Sequence, residues 1–268
     1  MKTEILTNPD EAVKFSQKLC GNITSRSYPM FENADAMQKE YSWSVQNEKG
    51  ALYGAYENGE LAGVLCAFRA PCSRYVQTTG VYAETYAPAN ALISRLVNDF
   101  PHDRLAVGIP AENAVVADVL CTLGFTLSED SYDFRLCKQK TFPITAHLLE
   151  KSEHDAYLAF HAKHFDELYW NARKLRWGID NWEIFTLGGK DIRGSVFAKR
   201  EKNMVEVFGM YAETPDDAFS LLSSLVSHVF AKYPALEELI FMAGTGNSVA
   251  ACEQCGFENH GHYNLWEK

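Results

Sequence analysis

The chain has 268 residues, 47% of them apolar and 22% charged, enough for one large or two ordinary soluble domains. A net charge of −10 without an offsetting Lys/Arg cluster argues against nucleic acid and anionic membranes as partners, and mildly favours cationic ones such as amines. The seven cysteines are scattered and odd in number, which suits reduced thiols in a cytoplasmic protein. No run approaches a membrane span, and Asp10, Glu11 and Lys14 interrupt any apolar signal core.

Asn8-Pro9-Asp10-Glu11 opens a helix, with Asn8 as cap, and Gly21 closes it. A weaker helical pattern lies around Phe31 to Tyr41. Two apolar runs, Ala51 to Tyr56 and Leu61 to Phe68, flank Glu57-Asn58-Gly59-Glu60, and Asn-Gly between such runs signals a hairpin. A strand through Val76 to Ala83 follows, then a helix with Leu92, Ile93, Leu96, Val97 and Phe100 on one face. Arg104 to Ile109 is a strand, Asn113 to Leu123 a helix closed by Gly124-Phe125, and Ser131 to Leu136 a strand. Lys138 to Pro143 reads as a linker.

The order then repeats. Ser152-Glu153-His154-Asp155 resembles a capping box opening a helix through Leu168. Trp182 to Leu187 and Ile192 to Lys199 flank Gly188-Gly189-Lys190-Asp191. Met204 to Tyr211 is a strand, Asp217 to Tyr233 a helix and Leu239 to Met242 a strand. Asn247 to Cys255 is a helix ended by Gly256-Phe257, and His262 to Trp266 the final strand. Tyr82-Ala83-Glu84-Thr85 recurs as Tyr211-Ala212-Glu213-Thr214, and the helices that follow align without a gap. Two tandem mixed α/β units are expected, 1–138 and 139–268.

The hairpin, the strand–turn–helix at Tyr82 and Tyr211, and the late helix ending in Gly-Phe, in that order and twice, resemble the GNAT N-acyltransferase superfamily in tandem. That resemblance implies acetyl-CoA, or another acyl-CoA, as co-substrate and a small amine as acceptor. It implies a central strand splayed from its neighbour, so that free N–H groups hold the pantetheine arm and stabilise the oxyanion. The pyrophosphate would sit on the following helix N-terminus. Carried onto this chain, Val81 to Ala83 supply backbone donors and Tyr86, Ala87, Ala89, Asn90 and Ala91 the phosphate turn. Asn113 contacts the pantetheine side. The turn departs from the family's Gly-rich, basic pattern. In the second copy Asp216 and Asp217 take the pyrophosphate's place, and like charges a few Å apart cost on the order of 1–4 kcal/mol. Donor binding is therefore expected in the first half and not in the second.

Glu84 is placed to take the amine proton, directly or through water, against the simpler reading of a solvated residue favoured by the helix dipole. Glu213 is its counterpart in the second half, and Glu206 lies on the second-half strand, able to line that cleft but read more simply as an exposed alternate position. The family's thiolate acid, a Tyr four residues before the helix-ending Gly, is replaced by Leu120 and Cys252, leaving Tyr82 or Tyr132 as substitutes. Cys252-Glu253-Gln254-Cys255 with His260 and His262 has the residue types of a zinc site, but without a known finger spacing no metal is expected. His161 and His164, with Asp166 or Glu167, form a helical pair that reads as structural. Tyr169, Trp170, Trp177 and Trp182 among Arg173, Lys174 and Arg176 read as core filling or an acceptor surface. The alternative to an enzyme is a non-catalytic GNAT-like binding protein.

Overall fold

The computed structural model describes residues 1–28, 31, 33–189, 191–244 and 246–268. Glu32 of the second expected helix and Lys190 of the second hairpin turn lie outside these. In chain order the elements are β1 (Lys2–Ile5), α1 (Asp10–Cys20), α2 (Ala34–Gln46), β2 (Gly50–Glu57), β3 (Glu60–Ala70), β4 (Tyr75–Ala83), α3 (Tyr86–Asp99), β5 (Arg104–Pro110), α4 (Ala114–Thr122) and β6 (Thr126–Leu136). Then come β7 (His147–Leu148), α5 (His154–His164), α6 (Ala172–Arg176), β8 (Trp182–Leu187), β9 (Gly194–Glu201), β10 (Met204–Tyr211), α7 (Pro215–Lys232), β11 (Glu238–Ala243), α8 (Asn247–Cys255) and β12 (Glu258–Glu267).

Two compact units form: Met1–Asp130 with His262–Lys268, and Ser131–Gly261. In the first, the strand order is β1-β2-β3-β4-β5-β12. Among its described residues only β4 and β5 pair in parallel. Side chains alternate across a strand, so Leu65 and Ala67 of β3 join Leu92, Leu96, Val116 and Val119 of α3 and α4. Val64 and Cys66 join Ala12, Met37 and Tyr41 of α1 and α2 on the opposite face. Pro9, not Asn8, takes the cap position of α1, and Asn8 Oδ1 accepts from the Asp10 N–H at 3.0 Å just before the helix. Asn58 and Gly59 turn the β2–β3 hairpin at positive φ, 52° and 88°.

The second unit repeats the plan with order β7-β8-β9-β10-β11-β6, and β10–β11 is its parallel pair. Helices α7 and α8 pack on one face through Leu221, Leu225, Val229 and Cys252. Helices α5 and α6 pack on the other through Tyr157, Leu158 and Leu175. Helix α5 starts behind a capping box made by Glu150 and Glu153 rather than by Ser152.

These units do not follow a cut between 138 and 139. Residues Tyr132 to Leu136 of β6 pair with β11, whereas Tyr263 to Glu267 of β12 pair with β5. Each repeat's last strand therefore completes the other unit. The exchange conserves bonding, because both strands follow a helix ending in Gly-Phe and both lie antiparallel to an equivalent partner.

Candidate functional site

Strand β4 pairs with β5 through Tyr75↔Arg104, Val76↔Leu105 and Gln77↔Ala106, and the register ends there. On its other side the ladder with β3 skips Thr79, a bulge between Ala67↔Thr78 and Cys66↔Gly80. A bulge bends its strand, and from Thr78 onward β4 leaves β5. The second unit does the same. Pairing of β10 with β11 ends at Val207↔Phe241, and the ladder with β9 skips Phe208, the counterpart of Thr79. Both units thus carry the expected splay.

The two gaps are finished differently. In the first unit the segment after α1 enters the gap. The Val81 N–H, expected to face a ligand, donates to Ser27 Oγ at 2.9 Å. That hydroxyl lies 3.3 Å from the Gly108 carbonyl, which also accepts from the Tyr28 N–H at 3.2 Å. Asn113 is fully buried. Its Oδ1 caps α4 by accepting from the Val116 N–H at 3.2 Å, and its Nδ2 donates to the Arg26 carbonyl at 3.0 Å. The Val81 N–H and the Asn113 amide, both assigned to a pantetheine arm, thus hold the chain's own Ser27 hydroxyl and Arg26 carbonyl.

Helix α3 begins beyond this gap. Thr85 makes no side-chain cap, and Thr85, Tyr86 and Ala87 are exposed. The Ala89 N–H already bonds to the Thr85 carbonyl at 3.4 Å, and the Ala89 side chain is fully buried. Only first-turn N–H groups lack helical partners, and Pro88 has none. The phosphate turn therefore contracts to Tyr86 and Ala87. Ala89, Asn90 and Ala91 lie inside the helix, their N–H groups committed to its ladder.

In the second unit the residues of β10 from Phe208 to Tyr211, and Ala212 beyond it, are half-buried, whereas Val81, Tyr82 and Ala83 of the first are 0–1% exposed. The Ala212 carbonyl accepts from Asn247 Nδ2 at 3.1 Å. Helix α7 is closed off. Thr214 Oγ1 accepts from the Asp217 N–H at 3.2 Å, and the Asp217 carboxylate is held by Arg193 rather than completing a cap box. The Arg193 hydrogen bond is the main cause that lowers the Asp217 pKa. One of the two carboxylates is thus compensated, while Asp216 stays exposed.

Glu84 is exposed at the end of β4, beside the open helix start. Tyr82 points the other way, into the α1–α2 core, where burial raises its pKa and only 1% of its surface is exposed. A phenol so placed cannot protonate a thiolate in the gap, which corrects its assignment as acid. Leu120 fills the core, and Tyr132 lies in the second unit with its ring 6.3 Å from Phe134. Cys252 and Cys255 are buried, and burial raises both thiols, Cys255 to about 12. His262 pairs with Asp130. Among the described residues no three His, Cys, Asp or Glu side chains are grouped to hold a metal ion.

His161 is buried between Tyr157 Oη at 3.1 Å and the Trp170 carbonyl at 2.8 Å, and burial lowers its pKa. His164 packs its ring 3.9 Å from that of Tyr211. Burial, then Lys163, lower the His164 pKa against the pull of Glu213. Trp170 and Trp182 fill the second core edge-to-face, whereas Trp177 is 88% exposed. Sequence reasoning missed Ser27 and Arg193. Ser27 belongs to no periodic pattern, Arg193 reads only as part of the second hairpin, and each acts on a residue distant in the chain.

No protein-family model and no curated protein sequence matches the chain. Solved structures do. A GCN5-related N-acetyltransferase from Sphaerobacter thermophilus superposes with a TM-score of 0.66 at 11% identity, covering 100% of this chain and 95% of that one. A tandem GNAT protein from the clavulanic acid biosynthesis pathway gives 0.54 at 12% identity, covering 100% and 98%. An acetyltransferase of the GNAT family from Colwellia psychrerythraea gives 0.51 at 14%, covering 100% and 98%. With two units of one topology, each with a bulged and splayed central strand, the chain has the GNAT acyltransferase fold, in tandem.

Proposed function

We propose that the protein is an acyl-CoA-dependent N-acyltransferase, with acetyl-CoA as donor and a small amine as acceptor, and that the first unit holds the donor. The observation that carries this is the first gap itself. A bulged strand leaves its neighbour after Gln77↔Ala106 and runs to a neutral, uncapped helix start. Donors aimed at a thioester carbonyl and a helix end suited to diphosphate lie along one line. The residues fit such a donor in kind. Val81 offers an N–H, Gly108 a carbonyl and Asn113 an amide, each now bonded to the chain's own polar groups.

In this reading the acceptor's ammonium loses its proton to Glu84 through water. Its nitrogen attacks the thioester carbon, the tetrahedral adduct gives up its second N–H proton to water as the carbon–sulfur bond breaks, and the thiolate takes a proton from solvent. The Val81 and Ala83 N–H groups stabilise the charge that develops on the carbonyl oxygen. The net charge of −10 favours a cationic acceptor over an anionic one, and the reduced thiols suit a cytoplasmic setting.

The test is thiol release from acetyl-CoA with a panel of polyamines, amino sugars and amino acids. Amine-dependent release is expected. Glu84→Gln should lower kcat by about 100-fold or more, since a positioned base contributes roughly 10²–10⁴. A second reading, a GNAT-fold binding protein without catalysis, is favoured by Ser27 occupying the Val81 N–H. It predicts no amine-dependent release from any acceptor class, a result that would remove the enzymatic reading.

A further inference from the structure

We propose that the segment Ser25–Tyr28 is a strap that holds the first unit's donor site closed, and that only a ligand bringing amide groups of its own displaces it. The inference rests on the donor reading above and concerns the regulation of that site.

Segments outside helices and strands usually run over the surface, because buried backbone needs partners. This one is buried. Ser25, Ser27 and Tyr28 are 8%, 0% and 3% exposed. It is tied to the end of α1 by a turn in which the Arg26 N–H donates to the Asn22 carbonyl at 2.8 Å. Three of its bonds go to the gap. The Arg26 carbonyl accepts from Asn113, Ser27 Oγ accepts from Val81, and the Tyr28 N–H donates to Gly108. In order along the segment these are an acceptor, a hydroxyl that accepts from Val81 and also donates to Gly108 at 3.3 Å, and a donor.

That set is what an amide-bearing arm presents. Its carbonyls can replace Ser27 Oγ and the Arg26 carbonyl, and its N–H can replace that of Tyr28. A pantetheine arm carries two such amides, whereas the adenosine diphosphate part of a coenzyme carries none in the chain that would enter the gap. Each exchanged bond changes the balance by about 2- to 10-fold. The strap is therefore closed without ligand yet open to displacement. Its removal from the Val81 N–H would leave a buried donor unpaired, so displacement and binding are coupled.

The experiment compares the full chain with Ser27→Ala, which removes the hydroxyl from the Val81 N–H. Binding of coenzyme A is measured by calorimetry, and amide hydrogen exchange is followed with coenzyme A, pantetheine or ADP present. The expected result is about 2- to 10-fold tighter coenzyme A binding by Ser27→Ala. In the unaltered chain, coenzyme A and pantetheine should make the 25–28 amides exchange faster while β4 amides slow, and ADP should leave the 25–28 amides unchanged. Faster exchange at a bound site is the reverse of what simple contact gives. Equal affinity in a folded Ser27→Ala, or slower exchange at 25–28 with coenzyme A, overturns the strap and leaves the donor reading standing. Absence of coenzyme A binding by both proteins at millimolar concentration overturns the two together.

Discussion

A chain ending at Gly261 is expected to lose the first unit's fold and to keep the second's. The seven residues removed are the last in sequence, yet they belong with Met1–Asp130. Tyr263 to Glu267 pair with Pro110 to Ala106, and Lys268 and Leu105 exchange two backbone bonds of 3.0 and 2.8 Å. Trp266 packs on the core of α3, α4 and β5. The Tyr263 ring covers Gly108, where an added Cβ would meet it at 2.9 Å, and stands edge-on to Tyr28 at 5.0 Å. Glu267 binds Arg104 at 2.6 Å. At about 1 kcal/mol for each backbone bond and about 2 kcal/mol for the tryptophan, the loss reaches roughly 5 kcal/mol or more. That rivals the whole stability of an ordinary domain. Hydrogen exchange should show β3, β4 and β5 unprotected while β8 to β11 stay protected. Two self-contained halves would give the opposite pattern, with loss confined to the second.

Substituting Glu183 by Gln should cost the second unit about 3 kcal/mol at pH 7, and much less in acid. Glu183 lies on β8 with its side chain 6% exposed. Burial opposes its charge. Hydrogen bonds from His228 at 2.8 Å, Lys232 at 2.7 Å and the Tyr233 hydroxyl outweigh that, so its pKa falls from the ordinary 4.5 to about 2. A carboxylate whose pKa is depressed by folding contributes its stability above the unfolded value and loses it as pH falls through the folded one. The window is therefore pH 4.5 down to about 2. At about 1.4 kcal/mol per unit the contribution is about 3 kcal/mol at neutral pH and roughly 1 kcal/mol near pH 3. Urea unfolding of both proteins at pH 7 and pH 3 measures the difference. A cost that stays the same at both pH values would show that the charge is not what stabilises the site.

Much of the fold is legible in the sequence because local chemistry enforces it. Asn58-Gly59 allows one kind of turn, and Gly124 and Gly256 end their helices at φ 77° as their places after apolar helical faces suggest. The repeat of Tyr-Ala-Glu-Thr marks two equivalent strand ends, and the bulges at Thr79 and Phe208 fall at the same distance before them. What stays hidden is choice of partner. β6 and β12 read alike as strands, so periodicity does not say which unit each completes. β1 carries one apolar residue in four and escapes notice. At the site, the open start of α3 is readable from Thr85 to Ala87, whereas the filling of the gap is not. Ser27 lies in a polar stretch without period, 54 positions from the Val81 N–H that it binds. The carboxylates at α7 are legible as a like-charged pair, but Arg193, which compensates Asp217, reaches it from the hairpin across 24 positions.

The most direct measurement is calorimetric titration of acetyl-CoA into the full chain and into Ala87→Asp at low salt. Ala87 is exposed in the first turn of α3, so the added carboxylate leaves the core alone and imitates the acidic start of α7. Saturable binding at one site, weakened at least about 10-fold by Ala87→Asp, is the predicted result, since such repulsion costs on the order of 1–4 kcal/mol. Equal binding by the two proteins, or no heat from the full chain at millimolar acetyl-CoA, contradicts a donor site at the first unit's open helix end.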